Sequence, residues 1–131
     1  METRASVDAI IDRIYEARER NNPGAAAECF SADASFMANG APSASTEKAA
    51  RLATLTQLFE AFEVLELRLN CRVIDPPRAA VSWRGKFRAK NGNVGEAEIL
   101  DVMEVKDGKI ASLTTFFDTA YAAQLSGQGG R

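Results

Sequence analysis

"EILDVMEVKDGKIASLTTFFD", residues 98–118, decides the fold. It reads as two strands joined by a tight turn at Asp107-Gly108. Asp118 stands at its far end. Asp101 lies between Leu100 and Val102, in the middle of an apolar strand. A carboxylate in that place marks either a reactive pocket or a polar core residue, so its facing decides what the chain can do.

The strands before it fix that facing. Leu65, Leu67, Leu69, Cys71 and Val73 alternate with Glu66, Arg68, Asn70 and Arg72, as in a half-buried strand that Asp75-Pro76-Pro77 ends. Val81, Trp83, Gly85 and Phe87 then alternate with Ser82, Arg84, Lys86 and Arg88. A three-residue loop at Asn91-Gly92-Asn93 sets Arg88 against Glu96, Lys86 against Glu98 and Trp83 against Asp101. Opposite charges across antiparallel strands favour that register. Asp101 then points inward, toward the helices. A lone carboxylate beside an indole is costly to ionise, and a protonated one can donate a hydrogen bond. Two readings stay open: it lines a pocket, or a serine, threonine or backbone group satisfies it in the core.

Upstream, Val7, Ile10, Ile11, Ile14 and Tyr15 form a helical stripe with Ser6 as its cap. Asn22-Pro23 starts a short second helix that ends near Phe30. "ADASFMA" (32–38) is a short strand and "NGAPSAS" (39–45) a loop. Ser45 or Thr46 caps a third helix to about Ala61, with Leu52, Leu55 and Phe59 on its apolar side. Residues 119–124 form a helical turn or two, and 126–131 a flexible tail. The order predicts one α+β domain over 1–131, with helices packed on one face of a curved antiparallel sheet.

The 131 residues suit one core. A net charge of −2 without a basic stripe excludes a nucleic-acid footprint. No apolar run spans a membrane. The start carries Glu2 and Asp8 and no apolar signal segment, which predicts a cytoplasmic protein. Cys29 and Cys71 read as small buried hydrophobes, kept reduced. With no histidine, Ser-His-Asp, Cys-His and zinc chemistry fall away. No metal or cofactor is expected. Acid–base work is left to Asp, Glu, Tyr, Lys or the thiols.

The stripe ending in Tyr15, "AAAECFSADASF" (25–36) and "LDVMEVKDGKIASLTTFFD" (100–118) together resemble the nuclear transport factor two-like superfamily, in its SnoaL-like and ketosteroid-isomerase-like branch. The resemblance covers about residues 6 to 120. It implies a cone: a curved antiparallel sheet wrapped around three N-terminal helices, with a pocket at the open end, in a homodimer. Tyr15 matches the oxyanion-hole tyrosine of ketosteroid isomerases and Asp101 their protonated aspartic acid. The general base of those enzymes falls near Ala38, which cannot move a proton, and the adjacent Asn39 is no base. The C-terminal hairpin is also similar to limonene-epoxide hydrolase, with Thr115 at the position of its water-activating aspartate.

The resemblance thus implies a pocket for a small apolar molecule, steroid-, polyketide- or terpenoid-like. Trp83, Phe36, Met103, Phe117, Thr115 and Asn39 are its candidate lining, with Phe116 a further wall candidate. Tyr15 and Asp101 would donate to an oxyanion in a cofactor-free isomerase or cyclase, with Asp118 as base. Each residue also has a plainer reading. Tyr15 and the aromatics can be core, and Asp118 can cap the last helix. One of Leu100 and Val102 should put an apolar side chain on the outer side of the sheet, which points to a homodimer through that face. The alternatives are a non-catalytic small-ligand module and a dimeric scaffold with a filled pocket.

Overall fold

Alternation at period two and a stripe at period 3.6 make the elements where the sequence puts them. A computed structural model of the chain describes residues 2–38, 41–42, 56 and 60–127. The elements are α1 (Arg4–Glu19), α2 (Pro23–Glu28), β1 (Phe30–Ala38), β2 (Ala41–Pro42), β3 (Phe62–Asp75), β4 (Arg78–Ala89), β5 (Val94–Lys106), β6 (Lys109–Phe116) and α3 (Thr119–Leu125). The sheet order is β2-β1-β6-β5-β4-β3. All pairs are antiparallel except β1 with β6, which is parallel. The result is the expected α+β cone, a curved sheet with helices on its inner side. The third helix, expected over 45–61, lies outside the described residues save for helical positions 56, 60 and 61, and the tail beyond 127 lies outside them too.

One core joins the helices to the inner face. Val7, Ile10, Ile11 and Ile14 of α1 meet Val81, Met103, Val105, Ile110 and Leu113 of the sheet, all buried. The helix starts earlier than its stripe suggests. Thr3 is the cap and accepts from the Ser6 N–H, while Ser6, expected as the cap, returns a bond to the Thr3 N–H.

Two hairpins show what turn chemistry decides. Asp107 and Gly108, at φ 52° and 74°, close β5 onto β6 in a two-residue turn. The β4–β5 loop has three residues, but they are Lys90, Asn91 and Gly92. Ala89 donates to the Asn93 carbonyl and Gly92 to the Ala89 carbonyl. Gly92, at φ 91°, takes the last loop position, where a positive φ is needed. The register is therefore displaced from the expected one. Val81, not Trp83, lies opposite Asp101, Lys86 faces Glu96 and Arg84 faces Glu98. Arg84 reaches both glutamates, at 3.5 and 3.6 Å, and Arg88 turns to Glu63. Because the displacement is an even number of residues, Asp101 still faces inward.

β3 departs further. Register shifts between Val64 and Glu66 and between Leu69 and Cys71 each reverse the alternation. Leu67 and Leu69 pack on the core, but Cys71 is exposed and Val73 is 61% exposed. The expectation of two buried cysteines holds for Cys29 alone. The same reversal turns Arg72 toward α1, where it pairs with Asp8 and Asp12 at 2.9 Å each. No helix of the described residues is long and apolar enough to cross a membrane.

Candidate functional site

The last two turns of α1 and the middles of β4 and β5 bring four side chains together. Tyr15 and Arg18 are three residues apart and share the helix face that carries Ile11 and Ile14. The Tyr15 hydroxyl donates to Asp101 Oδ2 at 2.5 Å, and Trp83 Nε1–H donates to the same oxygen at 2.8 Å. Arg18 Nη1 stands 3.6 Å from it. Asp101 is 1% exposed and Arg18 6%. Asp101 Oδ1 has no hydrogen-bond partner among the described residues.

Asp101 is therefore not the solitary carboxylate that its place in the strand suggests. Its partners are a phenol, an indole and a guanidinium. The guanidinium carbon lies 5.8 Å from the Tyr15 ring centre and 5.4 Å from that of Trp83. The two rings meet edge to face at 5.9 Å. A desolvated cation between ring faces gains from their quadrupoles as well as from the carboxylate. Tyr15 is held as the neutral phenol, its pKa pushed far above the ordinary value. Burial is the main cause and the Asp101 charge adds to it, while Arg18 opposes.

A cavity of about 100 Å³ opens beside this cluster. Phe62 and Val64 of β3, Trp83 and Phe87 of β4, and Ala97 and Ile99 of β5 form its sheet wall. Phe117, Tyr121, Ala122 and Leu125 close the other side. Among the described residues, Arg18, Thr115 and Asp118 are the non-aromatic polar side chains on its surface. Two glycines make this shape. A Cβ on Gly85 would collide with the Phe87 ring and stand 2.8 Å from that of Trp83, so the glycine lets those rings lean over the strand. A Cβ on Gly95 would collide with the Tyr121 hydroxyl, so that glycine lets α3 dock on β5. The Asn91 and Asn93 side-chain amides donate to the Leu125 carbonyl at 3.3 and 2.9 Å, tying the end of α3 to the β4–β5 loop.

The expected residues divide into groups. Trp83, Thr115, Phe117 and Asp118 line the cavity. Asp118 also caps α3, its Oδ1 accepting from the Tyr121 N–H at 3.0 Å, so one carboxylate both lines the cavity and caps the helix. Tyr15 and Asp101 pair with each other directly behind the wall, not on the cavity surface. Asp101 lies opposite Thr115 across β5–β6 and bonds the Trp83 indole. Phe36 and Met103 sit in the core cluster instead of the cavity wall. Phe116 points outward and is 42% exposed. Asn39 lies outside the described residues. Ala38 is described only as the end of β1, its backbone beside Thr115.

The sequence reading missed Arg18 and Tyr121. Arg18 carried a signal: it follows Ile14 by four residues and Tyr15 by three, so it continues the apolar stripe with a charge. Tyr121 carried none, because its burial depends on a glycine on another strand.

Comparison with known proteins places the chain among relatives of this shape. The model of the SnoaL-like domain family matches residues 11–113. No functionally curated protein matches at the sequence level. A candidate isomerase from Bacillus subtilis is 12% identical, with a TM-score of 0.82 over 99% of this chain and 98% of that one. AclR from Streptomyces galilaeus is 14% identical, with a TM-score of 0.80 over 98% of this chain and all of that one. A candidate SnoaL-like polyketide cyclase from Jannaschia sp. CCS1 is 14% identical, with a TM-score of 0.78 over 96% of each chain. At these identities the likeness is one of fold.

Proposed function

The chain belongs to the SnoaL-like domain family, and from that premise we propose that it binds a small, mostly apolar organic molecule at the open end of the cone. The observation that carries this reading is the cavity itself. Its walls are aromatic and aliphatic, and of its few polar groups Arg18 belongs to the buried cluster with Tyr15, Trp83 and Asp101, while Thr115 lies opposite Asp101. Apolar walls with a few placed polar groups are the usual make-up of a small-molecule site. Steroid-, polyketide- and terpenoid-like bodies are the class that such apolar walls would favour. Equilibrium dialysis against 2-isopropenylnaphthalene tests it. Saturable one-site binding that Ala97→Phe abolishes, with the fold intact, is the expected result. Binding that survives Ala97→Phe contradicts it, and so does the absence of binding of this alkene, its ketone analogue 2-acetonaphthone and 2-naphthoate alike.

A second reading makes the site a cofactor-free isomerase or cyclase. It is favoured by Asp118, a carboxylate on the same cavity as the Trp83 indole that Asp101 holds. Asp118 would take a proton from the carbon beside a ligand carbonyl. The C–H electron pair would form the new C=C bond and the carbonyl pair would pass to oxygen, with Arg18 of the cavity wall donating to that oxyanion; Tyr15 and Asp101, expected as its donors, bond each other behind the wall. Deuterium exchange into the methyl group of 2-acetonaphthone, followed by NMR in D₂O, checks it. Exchange above the buffer rate, lost in Asp118→Asn, supports the enzyme. Exchange at the buffer rate leaves a binding module without a base.

The outer face supports a homodimer. Leu100 and Phe116 lie opposite each other and are 41% and 42% exposed. Val102 stands next along the same face of β5. Sedimentation velocity is expected to give a dimer, and a Leu100→Glu, Phe116→Glu variant a monomer. A monomeric wild type would contradict it.

A further inference from the structure

Arg18 is an unusual wall residue. Its side chain is 93% buried, yet among the described residues its only polar contact is the ion pair with Asp101, at 3.6 Å, beyond hydrogen-bonding range. A guanidinium carries a fork of N–H donors, and burying them without acceptors is costly. None of these nitrogens is among the fully enclosed polar atoms that lack a partner, and the residue lines the cavity. Spare donors that are not fully enclosed, on a side chain that lines the cavity, are within the reach of a ligand there. Thr115 repeats the pattern. It is 4% exposed, lines the same cavity and makes no side-chain hydrogen bond among the described residues.

We propose that Arg18 and Thr115 are the specificity-determining pair of this pocket, and that they select a ligand whose head group is a neutral carbonyl oxygen on an apolar body. This rests on the pocket reading above and names the chemical class it takes. A carbonyl oxygen has two lone pairs, one for the guanidinium N–H and one for the threonine hydroxyl. The charge balance argues for a neutral head over a carboxylate. Asp101 already faces the guanidinium, and Asp118 stands on the same cavity wall. A ligand carboxylate would add a further negative charge to a largely desolvated Arg18–Asp101 pair, whereas a ketone, aldehyde or ester oxygen adds none. An apolar head would leave both donors buried and unpaired.

The test uses three naphthalenes of nearly one shape: 2-acetonaphthone, 2-isopropenylnaphthalene and 2-naphthoate. Equilibrium dialysis is run at neutral pH on the wild type, Arg18→Met and Thr115→Val. In the wild type the ketone is expected to bind about tenfold or more tighter than the alkene, and also tighter than the carboxylate. The ketone-to-alkene ratio should fall to about one in Arg18→Met and by about threefold in Thr115→Val. Thr115→Val changes no charge, so it carries the test if loss of Arg18 unfolds the chain. Equal binding of ketone and alkene in the wild type overturns the inference while the pocket reading stands. So does tighter binding of 2-naphthoate, or a ratio unchanged in both variants. If none of the three binds, the pocket reading falls and this inference falls with it.

Discussion

The inner face of the sheet carries similar side chains along its length, yet its two ends have different fates. Toward the Asp107-Gly108 turn, Met103, Val105, Ile110 and Leu113 are covered by the aliphatic stripe of α1 and are fully buried. Toward the β4–β5 loop, Phe87, Ala97 and Ile99 remain half-buried around a cavity. The strands are the same ones. What differs is the cover. The isoleucines of α1 fill their end, and α1 then places Tyr15 and Arg18 on the boundary. Asp101 sits there as well, and its bonds to both elements fix where the filled core stops.

That contrast can be broken most severely at the boundary. Asp101→Leu removes the shared acceptor and leaves Arg18 as an uncompensated buried cation. The expected loss is about 3–5 kcal/mol in urea unfolding, with about half of it in Asp101→Asn. A loss under 1 kcal/mol would mean that the cluster does not hold the two ends together. Next, equivalent truncations at the two ends should differ. Ile11→Ala is expected to cost about 2–5 kcal/mol, because its cavity opens in packed core. Ile99→Ala removes a side chain that already faces a cavity and should cost about 1 kcal/mol or less. Equal costs would show that the open end is packed like the rest.

Gly85→Ala sharpens the comparison from within the open end. The new methyl group must displace the Phe87 and Trp83 rings, at a cost of about 1–3 kcal/mol, and 2-isopropenylnaphthalene binding should weaken with it. The smallest effect concerns pH. Burial raises the Tyr15 pKa above its unfolded value, so above pH ~10 the unfolded chain loses a proton that the folded chain keeps. Stability is then fully present below that pH and declines as pH rises through it. Tyr15→Phe should cost about 1 kcal/mol at neutral pH and flatten the alkaline decline. An unchanged decline in Tyr15→Phe would place its origin elsewhere.

Much of this was legible from residues alone, for reasons specific to each. The inward facing of Asp101 survived a misplaced loop because strand facing depends only on parity. The loop itself was misplaced because the reading centred it on Asn91-Gly92-Asn93, whereas Gly92 is needed at the last position of a three-residue loop. The exposure of Cys71 and Val73 was hidden. "LNCRV" alternates without a break, and a bulge leaves no mark in polarity when both neighbours can face either way. Arg18 was legible in principle, as a charge on an apolar stripe, but its partner is 83 positions away in the chain. The cavity wall from α3 was not legible, since it depends on Gly95 accepting Tyr121.

The most direct test of the central claim uses the single tryptophan. Trp83 lines the cavity, and its indole N–H bonds Asp101 behind the wall. Titrating 2-isopropenylnaphthalene into ¹⁵N-labelled protein should shift the one indole signal and the amides of Ile99 and Tyr121 along a single saturation curve. The amides of Ile10, Ile11 and Val105, in the filled end, should stay still. Shifts confined to Leu100, Val102 and Phe116 on the outer face, with the indole unmoved, would contradict the account.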